Sequence, residues 1–343
     1  MNKKLISLLK VLVFLSLGLF LVWFAVRGVT EEQRGQIREA FGNANYSWVI
    51  LSLAISIISH LSRAMRWKMM LQTLGHEPKL SNTFFAVMIG YMANYAPIPR
   101  LGEASRCGIL TRYEKIPFTE SFGTVVAERL IDVLCLMVVF FITFLVQFAK
   151  INALAHQYVL DPIAKKFVFI GSHPVIASTF IFLALLGLIV FLRIRKKQKE
   201  GVLGKVFQFL SGFLDGLKTI KNIRKPWLFI GHTIVIWGVY YITLHLCFYA
   251  LPETSKLGFS EGITVFALGT LGVVFTPGGI GAYQVIVKNV LLLFAVSQSI
   301  SIAFPWIVWT SSFLLLMFLG LVSLILLPIL NKEINASPEK NPA

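Results

Sequence analysis

Two short stretches of this 343-residue chain place ionisable side chains inside otherwise apolar sequence, where the types and spacing suit phosphate chemistry. The first reads Pro97-Ile98-Pro99-Arg100-Leu101-Gly102-Glu103-Ala104-Ser105-Arg106. Prolines stop a helix and free backbone carbonyls, because proline has no N–H. Arg100 and Arg106 then present guanidinium forks, the side chain best matched to phosphate. Glu103 lies between them, placed to neutralise one or to accept a cationic group. An ordinary interfacial loop is the other reading. The second stretch holds Glu128, Arg129 and Asp132. Spacings of i,i+4 and i,i+3 put all three on one side of a helix. Charges at membrane depth are costly and face a bundle interior or water, so this trio is expected to face an internal cavity, with a salt bridge fastening the helix end as the alternative.

A third element carries glycines instead of charges. Thr276-Pro277-Gly278-Gly279-Ile280-Gly281 breaks a later apolar run. Glycine permits close backbone approach and unusual dihedrals, and free N–H groups at a half-helix start favour anions. No Gly-Lys-Ser/Thr comes after it, so a P-loop is excluded. Gln284 and Lys288, four apart, continue the polar face. Pro97, Pro99, Gly102, Pro277, Gly278, Gly279 and Gly281 are the expected helix breaks and hinges. Arg63, Arg66, Trp67 and Lys68 read as a membrane-edge anchor, with phosphate binding as the alternative. His232 and His245, thirteen residues apart, fall on roughly opposite faces of one helix, so no metal site is expected there. Cys107, Cys135 and Cys247 form no ligand spacing and read as apolar fillers.

The elements that must position these residues are membrane helices. Hydrophobic residues make up 56% of the chain and charged residues 14%, with a mean hydropathy of +0.76. Soluble domains carry about 25% charged residues. There is too little polar material to cover a water-facing surface, which excludes a cytosolic enzyme, a secreted disulfide scaffold and a nucleic-acid-binding domain. Apolar runs of spanning length occupy residues 5–26, 47–71, 122–148, 175–192, 227–251 and 302–330, and two broken runs occupy 80–97 and 263–296. The expected fold class is therefore an all-α polytopic membrane protein with about six full spans and two re-entrant segments. It forms a single transmembrane domain over residues 1–330, ending in a polar tail at 331–343.

Charge orients the spans. Residues 193–225 hold ten Lys/Arg against Glu200 and Asp215, a net of +8 and half of the chain's +16. By the positive-inside rule this loop is cytoplasmic. Residues 62–79 also read as inside and 28–46 as outside, and the first span, preceded by Met1-Asn2-Lys3-Lys4, reads as an uncleaved anchor with a cytoplasmic N-terminus. Between two inside positions, 79 and 193, the chain must cross an even number of times. The spans at 122–148 and 175–192 already make two crossings, so the 80–97 run must dip in and return, alone or paired with the adjoining stretch on its C-terminal side. Such backbone is tolerated at membrane depth only when protein or a water-filled cavity surrounds it. Within the basic loop, residues 202–222 show apolar spacing of three and four, an amphipathic helix suited to the anionic inner leaflet or to a simple connector role.

The broken segments match each other. Gly90 and Gly269, Gly102 and Gly281, and Trp48 and Trp227 are each 179 residues apart, and Pro97 and Pro277 are 180 apart. With these orientations, residues 47–148 and 227–330 read as an inverted repeat, a recurring transporter plan, with two unrelated Pro/Gly kinks as the alternative.

The order Arg63…Arg66-Trp67, Gly90…Asn94…Pro97…Arg100-Leu101-Gly102-Glu103…Arg106, Glu128-Arg129…Asp132 and Pro277-Gly278-Gly279-Ile280-Gly281 resembles the transmembrane, flippase-like region of lysylphosphatidylglycerol synthases. That resemblance implies a domain that, in bifunctional members, moves an aminoacylated phospholipid between leaflets, and the substrate-binding candidates here are Asn94, Arg100, Glu103, Arg106, Glu128, Arg129, Asp132 and Gln284. With the chain ending at Ala343, the aminoacyl-transferring domain is expected to be absent and the protein not a synthase by itself. Family members often carry Glu where this sequence has Gln284. The expectation is a lipid translocase of a bacterial inner membrane, with no cofactor and no nucleic acid. Its partners would be membrane lipids with anionic or phosphate-bearing headgroups, and a lipid-modifying enzyme. A membrane-embedded transferase on a lipid-linked substrate and a non-catalytic partner of such an enzyme are the alternatives.

Overall fold

The computed structural model describes residues 30–96, 101–148 and 223–332. Among them every extended element is an α-helix: α1 (Glu31–Asn43), α2 (Tyr46–Gln72), α3 (Leu80–Ala93), α4 (Leu101–Glu114), α5 (Phe118–Val146), α6 (Pro226–Phe248), α7 (Phe259–Phe275), α8 (Ala282–Leu293) and α9 (Gln298–Leu330). The expected spans at 5–26 and 175–192, the amphipathic segment at 202–222, and Pro97, Pro99 and Arg100 lie outside the described residues. A second unit begins at Phe141, and of it only residues 141–148 are described.

Helix length sorts these elements. At 1.5 Å per residue a hydrocarbon core of about 30 Å needs about 20 residues. Helices α2, α5, α6 and α9, with 27, 29, 23 and 33 residues, are long and apolar enough to cross a membrane. Helices α3 and α4, each 14 residues, and α8, with 12, are too short. The protein is an all-α, multi-pass membrane protein. On α9, Leu314, Phe318, Leu321 and Ile325 recur at helical spacing and are exposed. An apolar stripe of that kind fits lipid contact.

The short helices pair into hairpins. Helix α3 returns through α4, and their backbones touch at Gly90 and Gly102. A Cβ on Gly102 would overlap the Gly90 carbonyl oxygen and the Asn94 side chain. Helix α7 returns through α8, where a Cβ on Gly272 would sit 2.6 Å from the Tyr283 Cα. Between them Gly278 and Gly281 adopt φ of 62° and 79°, a region that disfavours side chains. Both tips are fastened alike: the Gly102 N–H donates to Asn94 Oδ1 at 3.1 Å, and the Gly281 N–H donates to Gln284 Oε1 at 2.7 Å. The tips also meet each other. A Cβ on Gly278 would overlap the Tyr95 ring, and Trp309 Nε1 on α9 donates to the Gly278 carbonyl at 2.7 Å.

Polar contacts sort the loops into two ends. At one end the Asn45 N–H donates to the Ala250 carbonyl at 2.8 Å, Glu253 accepts from Ser297, and Gln33 and Gln36 on α1 bond Gln298 and Ser299. At the other, Glu114 accepts from the Lys79 N–H and from Asn82, Asn82 pairs reciprocally with Asn331, and His76 bonds Glu120. Helix α2 runs from the first end to the second, the α3/α4 hairpin opens at the second, and α5 starts back from there. Helix α6 runs the opposite way, the α7/α8 hairpin opens at the first end, and α9 returns. The same long–hairpin–long unit thus occurs twice in opposite directions, the inverted arrangement expected from the matched glycines and the charge-derived orientations. The first end holds residues 30–46, which charge counting placed outside, and the second holds residues 73–79, which it placed inside, while residues 193–222 of the basic loop lie outside the described residues.

This arrangement has a direct test. Single cysteines at Lys115→Cys and Lys256→Cys, both exposed loop positions, are expected to react with an impermeant maleimide from opposite sides of the membrane. Labelling from one side would contradict the inverted arrangement.

Candidate functional site

Helix α2 carries Ser52, Ser56, Ser59, Arg63 and Arg66 on one stripe at spacings of four and three, so one face of an apolar span is polar and turned inward. Arg63 and Arg66 are 3% and 0% exposed. Opposite them, α5 supplies Glu128, which is fully buried, and Asp132 one turn later. Glu128 Oε1 accepts from Arg63 at 2.5 Å and Arg66 at 3.4 Å, and its Oε2 accepts from Arg106 on α4. Asp132 accepts from Arg63 at 2.9 Å and Arg66 at 2.8 Å. Arg129 lies at the rim, 3.2 Å from Glu103 and 3.5 Å from Asp132.

Neighbouring groups fix these side chains. The Arg106 guanidinium lies 4.3 Å from the Trp67 ring centre, and Trp67 Nε1 donates to Thr124 Oγ1 at 2.9 Å. Arg66 also donates to Thr233 on α6 at 3.3 Å and lies 5.9 Å from the Phe229 ring. Arg63 lies 5.9 Å from the Tyr91 ring, whose hydroxyl is 3.4 Å from that of Tyr240. His60 packs edge-on to Tyr91 at 5.5 Å. Five helices, α2 to α6, therefore converge on one cluster of charge.

Among the described residues, four guanidinium groups (Arg63, Arg66, Arg106, Arg129) share three carboxylates (Glu103, Glu128, Asp132), which leaves one positive charge in excess. The Nε atoms of all four arginines are buried and, among the described residues, without a hydrogen-bond partner. Buried ion clusters seldom repay their desolvation in stability, and ionisable groups inside membrane segments mark substrate paths. The cluster is suited to holding an anion with several acceptor oxygens, since guanidinium forks match phosphate.

Of the residues singled out in the sequence, Glu103, Arg106, Glu128, Arg129 and Asp132 come together here. Asn94 and Gln284 are at the hairpin tips, each accepting from a glycine N–H, and the Gln284 Nε2 is buried without a partner among the described residues. Pro277, Gly278 and Gly279 form the short 3-10 turn between α7 and α8, and Gly281 caps α8. Arg63 and Arg66 correct the expectation of a membrane-edge anchor. Both are inside the bundle and bridge Glu128 to Asp132. The serine–arginine stripe along α2 was the signal that could have shown it, because an edge anchor needs no polar face running back into the span. Tyr91, Thr233 and Tyr240 were not singled out, and isolated hydroxyl residues in apolar spans give no distinguishing pattern.

Comparison with known proteins fits this architecture. A family model described as "Lysylphosphatidylglycerol synthase TM region" matches residues 7–320. The chain is similar to a UPF0104 membrane protein of Methanocaldococcus jannaschii, at 23% identity over 87% of this chain and 89% of that protein. It is similar to a UPF0104 membrane protein of Pyrococcus horikoshii at 24% identity, over 86% and 89%. It is also 22% identical to the glycosyltransferase AglD of Haloferax volcanii, over 73% of this chain but only 44% of that protein. No solved structure matches it significantly. With the match covering nearly its whole length, the chain belongs to the lysylphosphatidylglycerol synthase transmembrane-region family.

Proposed function

We propose that the protein is a translocase for phospholipids or lipid-linked headgroups, set in the cytoplasmic (inner) membrane with its N-terminus inside. One observation carries this reading: four arginines and three carboxylates are gathered inside a membrane bundle with a positive charge in excess, beside two hairpins that enter from opposite ends. Arg106 and Arg129, with Arg63 and Arg66, hold the phosphate. Glu103, Glu128 and Asp132 balance charge or receive a cationic group. The glycine-broken tips supply the hinge points at which a path between the two ends opens.

The experiment is transbilayer movement of fluorescent phospholipid in proteoliposomes, read as loss of protection from dithionite. Wild type is expected to move lipid, and Arg129→Ala to slow it. Protein-free rates with the wild type would count against a translocase. A second reading, a membrane-embedded transferase acting on a lipid-linked substrate, is favoured by the relative named as a glycosyltransferase. It predicts metal-dependent turnover that Asp132→Asn abolishes. A partner of a separate lipid-modifying enzyme would instead lose function on deletion of residues 202–222 and tolerate the arginine substitutions.

A further inference from the structure

The cluster divides into a locked interior and one exchangeable arm. Arg63, Arg66 and Arg106 have side chains 4%, 0% and 3% exposed, and all three converge on Glu128. They cannot leave it without stranding a fully buried carboxylate. Arg129 differs in each respect. Its side chain is 39% exposed, it does not bond Glu128, and its bridges to Glu103 and Asp132, at 3.2 and 3.5 Å, are among the longest in the cluster. Glu103, its main partner, is itself partly exposed at 17%. This is the least buried ion pair of the cluster, so its exchange for another anion strands less buried charge than any other exchange would.

Charge then selects the anion. Among the described residues the interior holds three arginines against Glu128 and Asp132, an excess of one positive charge, whereas the Arg129–Glu103 pair is neutral. The Nε atoms of Arg63, Arg66 and Arg106, on residues more than nine-tenths buried, have no partner among the described residues. A headgroup with a single net negative charge neutralises that excess. A zwitterionic headgroup leaves it standing in a poorly solvated site, where an unbalanced charge is expensive.

We infer that Arg129 is the specificity-determining arm of the site, exchanging Glu103 for the phosphate of a headgroup, and that the site takes monoanionic phosphodiester headgroups in preference to zwitterionic ones. This rests on the lipid-binding reading of the same cluster. It does not require that movement be observed.

The test is therefore binding by the full-length protein in detergent micelles. Dihexanoyl phosphatidylglycerol, with one net negative charge, is compared with dihexanoyl phosphatidylcholine, with none, by calorimetry, with glycerol 1-phosphate as the soluble control. Wild type is expected to bind the glycerol lipid at least about tenfold more tightly than the choline lipid. Arg129→Gln is expected to remove about ten- to hundredfold of that affinity, the range for a charge-assisted hydrogen bond, and Arg129→Lys to recover part of it. Glu103→Gln, which frees Arg129 from its partner, is expected to tighten phosphatidylglycerol binding. Equal affinities for the two lipids would overturn the inference, as would an Arg129→Gln protein that binds like wild type, or no binding of either lipid. Glycerol 1-phosphate binding as tightly as the lipid would assign the site to a soluble phosphate and overturn the lipid assignment. Failure of lipid movement in vesicles with the binding pattern intact would sink the translocase reading alone.

Discussion

Glu128→Ala is expected to destabilise the folded protein by about 3–5 kcal/mol, the cost of leaving buried charge uncompensated. Three arginines direct guanidinium groups at this one carboxylate, which has no exposure. Without it, Arg106 loses the only acidic partner described for it, and Arg63 and Arg66 retain only Asp132. Unfolding in mixed micelles would measure the loss. Glu120→Ala is the control, because its bridge to His76 is partly exposed and such pairs contribute about 1 kcal/mol or less. Adding Arg106→Leu to Glu128→Leu should cost less than the sum of the two single changes, since it removes the stranded partner. Strict additivity would show that the two side chains do not depend on each other.

The second large effect is one of sign. Gly102→Ala and Gly108→Ala change the same helix, α4, six residues apart. At Gly102 the new methyl collides with the Gly90 carbonyl oxygen, a backbone atom of α3, and with Asn94. Forcing a methyl into packed structure costs about 1–3 kcal/mol, and displacing α4 also strains the Gly102–Asn94 hydrogen bond that closes the tip. At Gly108 nothing lies within 4 Å, and alanine favours a helix by up to about 1 kcal/mol over glycine. Gly102→Ala is thus expected to lower, and Gly108→Ala to raise or leave unchanged, the midpoint of thermal unfolding in detergent. Equal effects would contradict the close approach that defines the first hairpin.

Much of the bundle is legible in composition and charge. The run at 80–97 is too short and too interrupted for a normal span, and crossing parity between two basic loops requires it to return; α3 and α4 do so. Of the matched glycines at 90 and 269, Gly90 marks where the backbones of the first hairpin approach, whereas Gly269 faces the Tyr283 and Val287 side chains and the approach in the second hairpin is at Gly272. The match between 102 and 281 marks the glycine whose N–H is fastened at each tip. What sequence could not separate was the role of Arg63 and Arg66. Cationic residues near the end of an inward-running span have the same pattern whether they face lipid headgroups or an acidic partner. Only the pairing of α2 with α5, about 60 residues later, decides between them. Glu128, Arg129 and Asp132 were legible as a group because three charges deep in an apolar run have few places to go. Their division into a locked interior and a less buried arm depends on α4, which supplies Arg106 to the one and Glu103 to the other, and spacing does not encode that.

The central claim is that headgroups cross the bilayer by way of this buried charge. Its most direct measurement is the rate of dithionite loss from fluorescent phosphatidylglycerol in proteoliposomes, with wild type set beside Arg129→Ala protein of matched folding and reconstitution. Rapid movement with wild type that falls at least about tenfold with the variant, the loss of one charge-assisted contact, is the predicted result. Movement that Arg129→Ala leaves untouched, or a wild type no faster than empty vesicles, would contradict it.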